Sequence, residues 1–180
     1  MGLTDALARL AAGGRAPDLV VALGSAGSRA LDHAAIYQAA SVAYRDMDCT
    51  PLGFPIGVTP FLDLPAALAL GPALPGLASA TLASGGSIVS GADYDRIDAD
   101  MVDMETYAYA RAAGRFGAAL ISLRGISDGR APLGGLSDWT ETLDVIGDGL
   151  SDAVARLEEL LRANALAIGP APRVEPLVEE

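Results

Sequence analysis

An α/β fold, with helices on both faces of a central sheet, is what this sequence predicts, and three patterns predict it. Short apolar runs of strand length (Leu19–Leu23, Ile36–Tyr44, Leu77–Ser84, Ala118–Arg124) alternate with segments of helical spacing. Small and polar clusters follow directly on several of those runs. A long amphipathic stretch, Asp138–Ala165, then carries Leu143, Ile146, Leu150, Val154, Leu157 and Leu161 on one side. In sheets of this class ligands bind beyond the carboxyl ends of strands. The clusters Gly24–Ser28, Ser84–Ser87, Asp103–Glu105 and Ser127–Gly129 are therefore expected to line one pocket.

Each element has its own signal. Leu3, Leu7 and Leu10 recur at helical spacing across Thr4–Ala12, and Gly13-Gly14 ends that helix. Pro17-Asp18 introduces Leu19–Leu23, read as a strand buried on both faces and followed by a turn. Ile36–Tyr44 reads as a second, longer strand. Cys49–Pro65 is rich in glycine and proline, which predicts loops, and Pro72–Pro75 continues the irregularity. After the strand Leu77–Ser84, Asp93–Asp98 reads as a short helix or turn and Asp100–Asp103 as a short strand. Thr106–Phe116 is an alanine-rich helix closed by Gly117, and Ala118–Arg124 is a buried strand. Residues 1–168 are expected to form a single domain. Residues 169–180, with their prolines and glutamates, read as a loose tail.

Composition narrows the function. The chain has 180 residues, 51% hydrophobic and 19% charged, which suits a packed core. Its net charge of −11 and its scattered Lys and Arg residues disfavour nucleic acid and anionic membranes as partners. No apolar run is long enough to cross a bilayer and no secretory signal is visible, so a cytoplasmic protein is expected. One cysteine, Cys49, and one histidine, His33, exclude an internal disulfide framework, a multi-thiolate metal site and a histidine cluster for zinc, and a histidine-based triad is not expected. No cofactor and no metal are expected. The chemistry must rest on carboxylates, backbone amides and arginine, acting on a small neutral or cationic substrate.

Three clusters can carry that chemistry. The small residues of Gly24-Ser25-Ala26-Gly27 let backbone amides approach a ligand, although the same residues suit a tight strand-to-helix turn. Asp103-Met104-Glu105 pairs a carboxylate, able to accept from two ribose hydroxyls, with a polarizable apolar surface. An acidic first turn favouring the next helix's dipole is the structural alternative. In Arg124-Gly125-Ile126-Ser127-Asp128-Gly129, a protonated Asp128 can donate to a purine nitrogen and make the base a better leaving group. Ser127 or Asp128 can equally well cap the segment that follows.

Taken together, and in this order, the clusters resemble the 5′-methylthioadenosine/S-adenosylhomocysteine nucleosidases of the purine nucleoside phosphorylase and hydrolase superfamily. The resemblance covers Gly24-Ser25-Ala26-Gly27, Tyr44-Arg45-Asp46-Met47-Asp48, the Gly-rich segment after Ala83, Asp103-Met104-Glu105 opening a helix, and Arg124-Gly125-Ile126-Ser127-Asp128 closing a strand. It implies a three-layer α/β/α sandwich around a mixed sheet, and hydrolysis of the N-glycosidic bond of 5′-substituted purine nucleosides with release of adenine. It further implies Asp128 as the acid, held by Ser127; Glu105 on the ribose hydroxyls with Met104 against the sugar; and Ser25, Ala26 and Gly27 on the ribose and water side. Arg124 would support the acidic cluster. Ile88 and Val89 stand where the family usually places an aromatic and an aliphatic residue against the base. Trp139 reads either as a cover for the ligand or as a helix anchor. The resemblance implies a homodimer that uses Asp48–Phe61.

The chain departs from the family at its beginning. The family opens with a strand whose glutamate positions the attacking water, and no residue of Met1–Leu23 matches it. An N-terminally short or divergent member with impaired hydrolysis is the expectation. The alternatives are a phosphorylase using Arg29 and Arg45, and a nucleoside-binding protein without catalysis.

Overall fold

Leu3, Leu7 and Leu10 build α1 (Leu3–Ala12), whose buried Leu7 faces the interior. In chain order there follow β1 (Leu19–Gly27), β2 (Ile36–Tyr44), β3 (Ala67–Ala69), β4 (Ser79–Ser84), β5 (Met101–Asp103), α2 (Thr106–Arg115), β6 (Ala119–Asp128), α3 (Leu136–Thr140) and α4 (Leu143–Arg162). Short 3₁₀ turns lie at Thr50–Leu52 and Gly91–Arg96. This computed structural model describes residues 2–129, 131, 132 and 134–169. The tail expected from residue 169 lies, apart from residue 169 itself, outside the described residues.

The sheet runs β3-β2-β4-β5-β1-β6, and β2 pairs a second time, with β6, so the sheet curls back on itself. Parallel pairs (β1 with β6, β2 with β4, β4 with β5) mix with antiparallel ones. β6 is the spine, buried from Ala119 to Ser127. Its two faces pack against different helices. Ile121 and Leu123 meet Ala153 and Leu157 of α4, while Leu120 and Ala118 meet Ala113 of α2. Burying a side chain such as Leu157 contributes about 1.5–3 kcal/mol. Helices thus cover both faces of a mixed sheet, in three layers.

Three elements differ from the sequence reading. β1 does not stop at Leu23, because its parallel ladder with β6 continues through Gly24↔Arg124, Ser25↔Gly125 and Ala26↔Ile126. β6 likewise runs on to Asp128 rather than ending at Arg124. The small residues are therefore strand, and they are small because neighbours crowd them: a Cβ on Gly24 would overlap the Arg124 guanidinium, and one on Gly125 would overlap Ile146. β1 is also not buried on both faces. Val21 is 38% and Leu23 49% exposed, since α4 lies over β6 and leaves the same face of β1 open. Among the described residues, β1 pairs along its other edge only at Gly27↔Val102. Finally, the stretch read as one helix from Asp138 is two, α3 and α4, separated by a turn at residues 141 and 142.

Candidate active site

At the carboxyl ends of β1, β4, β5 and β6 the four small and polar clusters converge on one pocket of about 740 Å³. Ser25, Ala26 and Gly27 come from β1, and Ile88 and Val89 from the loop after β4. Met104 and Glu105 come from the β5–α2 junction, Ser127 and Asp128 from β6. Arg124 does not line the pocket and is buried behind it. Ile88 is 72% and Met104 50% exposed, so two apolar side chains face an open cleft, while Val89 is buried beneath.

The two carboxylates of the Asp103-Met104-Glu105 cluster divide the roles that its sequence left open. Asp103 is committed to structure. One of its oxygens accepts the Ser84 hydroxyl in a very short bond; the other accepts the Thr106 backbone N–H at 3.0 Å, the Thr106 hydroxyl, and Arg124 Nη2 at 2.7 Å. It thereby satisfies the first amide of α2 and favours that helix's positive end. Glu105 stands at the N-cap position; its backbone carbonyl accepts the Tyr109 amide at 3.0 Å, but its side chain makes no capping bond and has no hydrogen bond or ion pair among the described residues. Its carboxylate is free to accept from a ligand.

Asp128 is held at one oxygen only, where Ser127 Oγ donates to Oδ2 at 2.7 Å. From outside the strand His33 Nε2 lies 2.7 Å from the Ser127 carbonyl oxygen, which gives the single histidine a structural place. Behind Asp128 sits Tyr94, whose ring packs under the Arg29 guanidinium at 5.5 Å. Burial pushes its phenol up to about 12, with the Asp128 charge adding to the effect and Arg29 and Arg45 opposing it. Trp139 reaches across from α3, and its Nε1 donates to Ser25 Oγ at 3.3 Å. The break between α3 and α4 allows this: α4 follows the sheet while α3 crosses the pocket mouth.

Some pocket residues escaped the sequence reading. Gly134, Gly135 and Leu136 line the mouth. Their signal was the Gly134-Gly135 pair just before a helix, which a single long helix from Asp138 obscured. Arg45, which the sequence offers within the Tyr44–Asp48 motif and as a phosphate ligand, lines the wall and is already engaged. Its Nη1 donates to Ser87 Oγ at 3.0 Å and lies 3.4 Å from Asp46 Oδ1, and its Nη2 donates to the Ser87 carbonyl. Arg29, the other phosphate candidate, pairs with Asp95 at 2.7 Å and does not line the pocket. Among the described residues no group of His, Cys, Asp and Glu could hold a metal ion, and no helix is long and apolar enough to cross a membrane.

A family profile described as the phosphorylase superfamily matches residues 3–164. The chain belongs to that superfamily. Solved structures with the superfamily fold include a 5′-methylthioadenosine/S-adenosylhomocysteine nucleosidase from Colwellia psychrerythraea 34H in complex with adenine. That structure is 22% identical with a TM-score of 0.70, over 86% of this chain and 71% of that one. The Helicobacter pylori nucleosidase with butyl-thio-DADMe-Immucillin-A is 21% identical, TM-score 0.72, over 87% and 75%. A futalosine hydrolase mutant of Helicobacter pylori is 18% identical, TM-score 0.67, over 89% and 75%. A search of curated proteins returned no match. These likenesses establish the fold of the superfamily member, an α/β structure with a mixed sheet and flanking helices.

Proposed function

We propose that the chain hydrolyses the N-glycosidic bond of 5′-substituted purine nucleosides, methylthioadenosine and adenosylhomocysteine among them, and releases adenine. One observation carries the reading: a serine-held Asp128 and an unpaired Glu105 face the same pocket, which has apolar walls on either side. Asp128 gives its proton to the purine, Glu105 accepts from the ribose hydroxyls, and Met104 packs on the sugar. Ile88 and Val89 lie against the base, Ser25, Ala26 and Gly27 border the ribose and the water, and Arg124 fixes Asp103 and so the start of α2. The structural neighbours, nucleosidases in complex with adenine or an immucillin, agree with this chemistry. Among the described residues Asp103, Glu105 and Asp128 are the only carboxylates lining the pocket, so none is left over for the attacking water. Hydrolysis is expected to be slow on that account.

Hydrolysis is favoured over phosphorolysis because the single arginine lining the described pocket, Arg45, is already bonded to Ser87 and paired with Asp46. The enzyme is read as cytoplasmic and homodimeric, with the exposed Leu52, Ile56 and Phe61 at the subunit contact. The test is adenine release from methylthioadenosine and adenosylhomocysteine, with and without phosphate. Phosphate-independent release, reduced about 10²-fold or more by Asp128→Asn, is the expected result. Strict phosphate dependence, or full activity of Asp128→Asn, would overturn the proposal.

A further inference from the structure

Tyr94 is a buried side chain, beside Asp128, that the proposed reaction leaves without a role. It lies in the 3₁₀ turn Gly91–Arg96 and is 6% exposed, and its hydroxyl has no hydrogen-bond partner among the described residues. A buried hydroxyl in that state is destabilising, so its retention calls for an explanation. Two glycines admit it to the strand ends. A Cβ on Gly27 would overlap the Tyr94 hydroxyl and lie 2.7 Å from Asp128 Oδ1, and a Cβ on Gly129 would lie 2.6 Å from the same hydroxyl. The phenol oxygen and Oδ1 therefore flank one point that glycine leaves empty. Ser127 already holds Oδ2, so Oδ1 is the oxygen on the tyrosine's side.

We propose that Tyr94 is a positioning residue for Asp128, its hydroxyl donating to Oδ1 as the carboxylate forms. The inference rests on the hydrolase reading above. In the step concerned, the proton passes from the Asp128 carboxyl to a purine ring nitrogen. The electron pair of the bond between C1′ and the base leaves with the base, and water adds its hydroxyl to C1′ and releases its proton to solvent. The carboxylate left behind carries a full charge in a half-buried site. Ser127 donates to one oxygen and Tyr94 to the other, and such bonds strengthen as the acceptor becomes ionic. The phenol is a fixed donor there, since its pKa of about 12 keeps it protonated. Its ring is held by Arg29, itself anchored on Asp95 at 2.7 Å.

The experiment compares Tyr94→Phe with the unmodified chain on methylthioadenosine and on 4-nitrophenyl riboside, whose nitrophenolate departs without being protonated. The expected result is a kcat on the purine nucleoside lower by about tenfold or more, with KM, melting temperature and nitrophenyl riboside cleavage nearly unchanged. In a double-mutant cycle Tyr94→Phe adds no loss to Asp128→Asn, because the tyrosine acts through that carboxylate. Equal losses on both substrates, losses that multiply with those of Asp128→Asn, or an unaltered kcat would overturn the proposal. Unmodified chain that cleaves neither substrate would refute the hydrolase reading and this inference together. Cleavage of both substrates with Tyr94→Phe fully active would refute the inference alone.

Discussion

Replacing Arg124 by methionine keeps the length and apolar stem of the side chain but removes a guanidinium that is almost wholly buried against Asp103, with side-chain exposures of 3% and 1%. The Asp103 carboxylate would stay in the interior with its neutral donors, the Ser84 and Thr106 hydroxyls and the Thr106 amide. Breaking a buried pair from one side costs about 3–5 kcal/mol, because a charge is left uncompensated. The remaining donors place this case at the lower end, about 3 kcal/mol. For a domain of this size that lowers Tm by on the order of 10 °C and removes a large share of a total of about 5–15 kcal/mol. Thermal melting and urea unfolding at constant m-value measure it. Arg124→Lys, which keeps the charge but not the planar guanidinium that reaches both Asp103 and Thr106 through Nη2, should fall in between. Adding Asp103→Asn to Arg124→Met should recover stability, since the stranded charge is gone. A melting temperature for Arg124→Met within about 2 °C of the unmodified chain would refute the argument that this pair is buried and uncompensated.

Other consequences concern the pocket. Glu105→Gln replaces an ionic acceptor with a weaker amide and should cost about 1.5–3 kcal/mol on ribosides, but much less on 2′-deoxyribosides. Equal losses on both would reduce Glu105 to a charge at a helix start. Trp139→Ala removes the cover and its bond to Ser25, and should raise KM by about tenfold with a smaller effect on kcat. An unchanged KM would make Trp139 an anchor for α3 only. The Tyr94 phenol is raised to about 12 from an unfolded value of 10.0, so the protonated form is the one the fold favours. Its titration leaves stability untouched below about pH 10, where both states are protonated, and lowers it as pH rises toward 12, where only the unfolded state ionises readily. Tyr94→Phe should flatten the alkaline loss of stability in that window, as read by melting temperature against pH. An identical decline in both proteins would show that the phenol's burial is not linked to folding.

Much of the fold was legible because hydrophobic periodicity is a local property. Ile36–Tyr44 was read to the residue as a strand, and Thr106–Phe116 came within one residue of the observed helix. The strand ends were not legible. Gly24–Gly27 and Gly125–Asp128 have the composition of turns, yet each finds a parallel partner in the other, and pairing between segments about a hundred residues apart overrides local propensity. The helix from Asp138 misled for a related reason. The apolar stripe beginning at Leu143 is genuine, but nothing in it shows that the preceding turn must swing away so that Trp139 can reach Ser25.

What the sequence by itself determined is the order of most elements, the presence of only one cysteine and one histidine, and the short list of carboxylates from which a reaction can draw. Those are matters of residue type and spacing, and they survive any folding. The tertiary structure decided which carboxylate is already engaged and which is left open. Asp103 and Glu105 are two residues apart and chemically alike. One is turned inward onto Arg124, Ser84 and Thr106, while the other is left at the pocket with no partner among the described residues. The structure also placed Arg45 on the pocket wall and Arg29 outside it, and brought Tyr94 to the back of Asp128 through two glycines. A carboxylate's availability depends on which donors surround it, and those donors come from β4, α2 and β6, which meet only when the sheet closes.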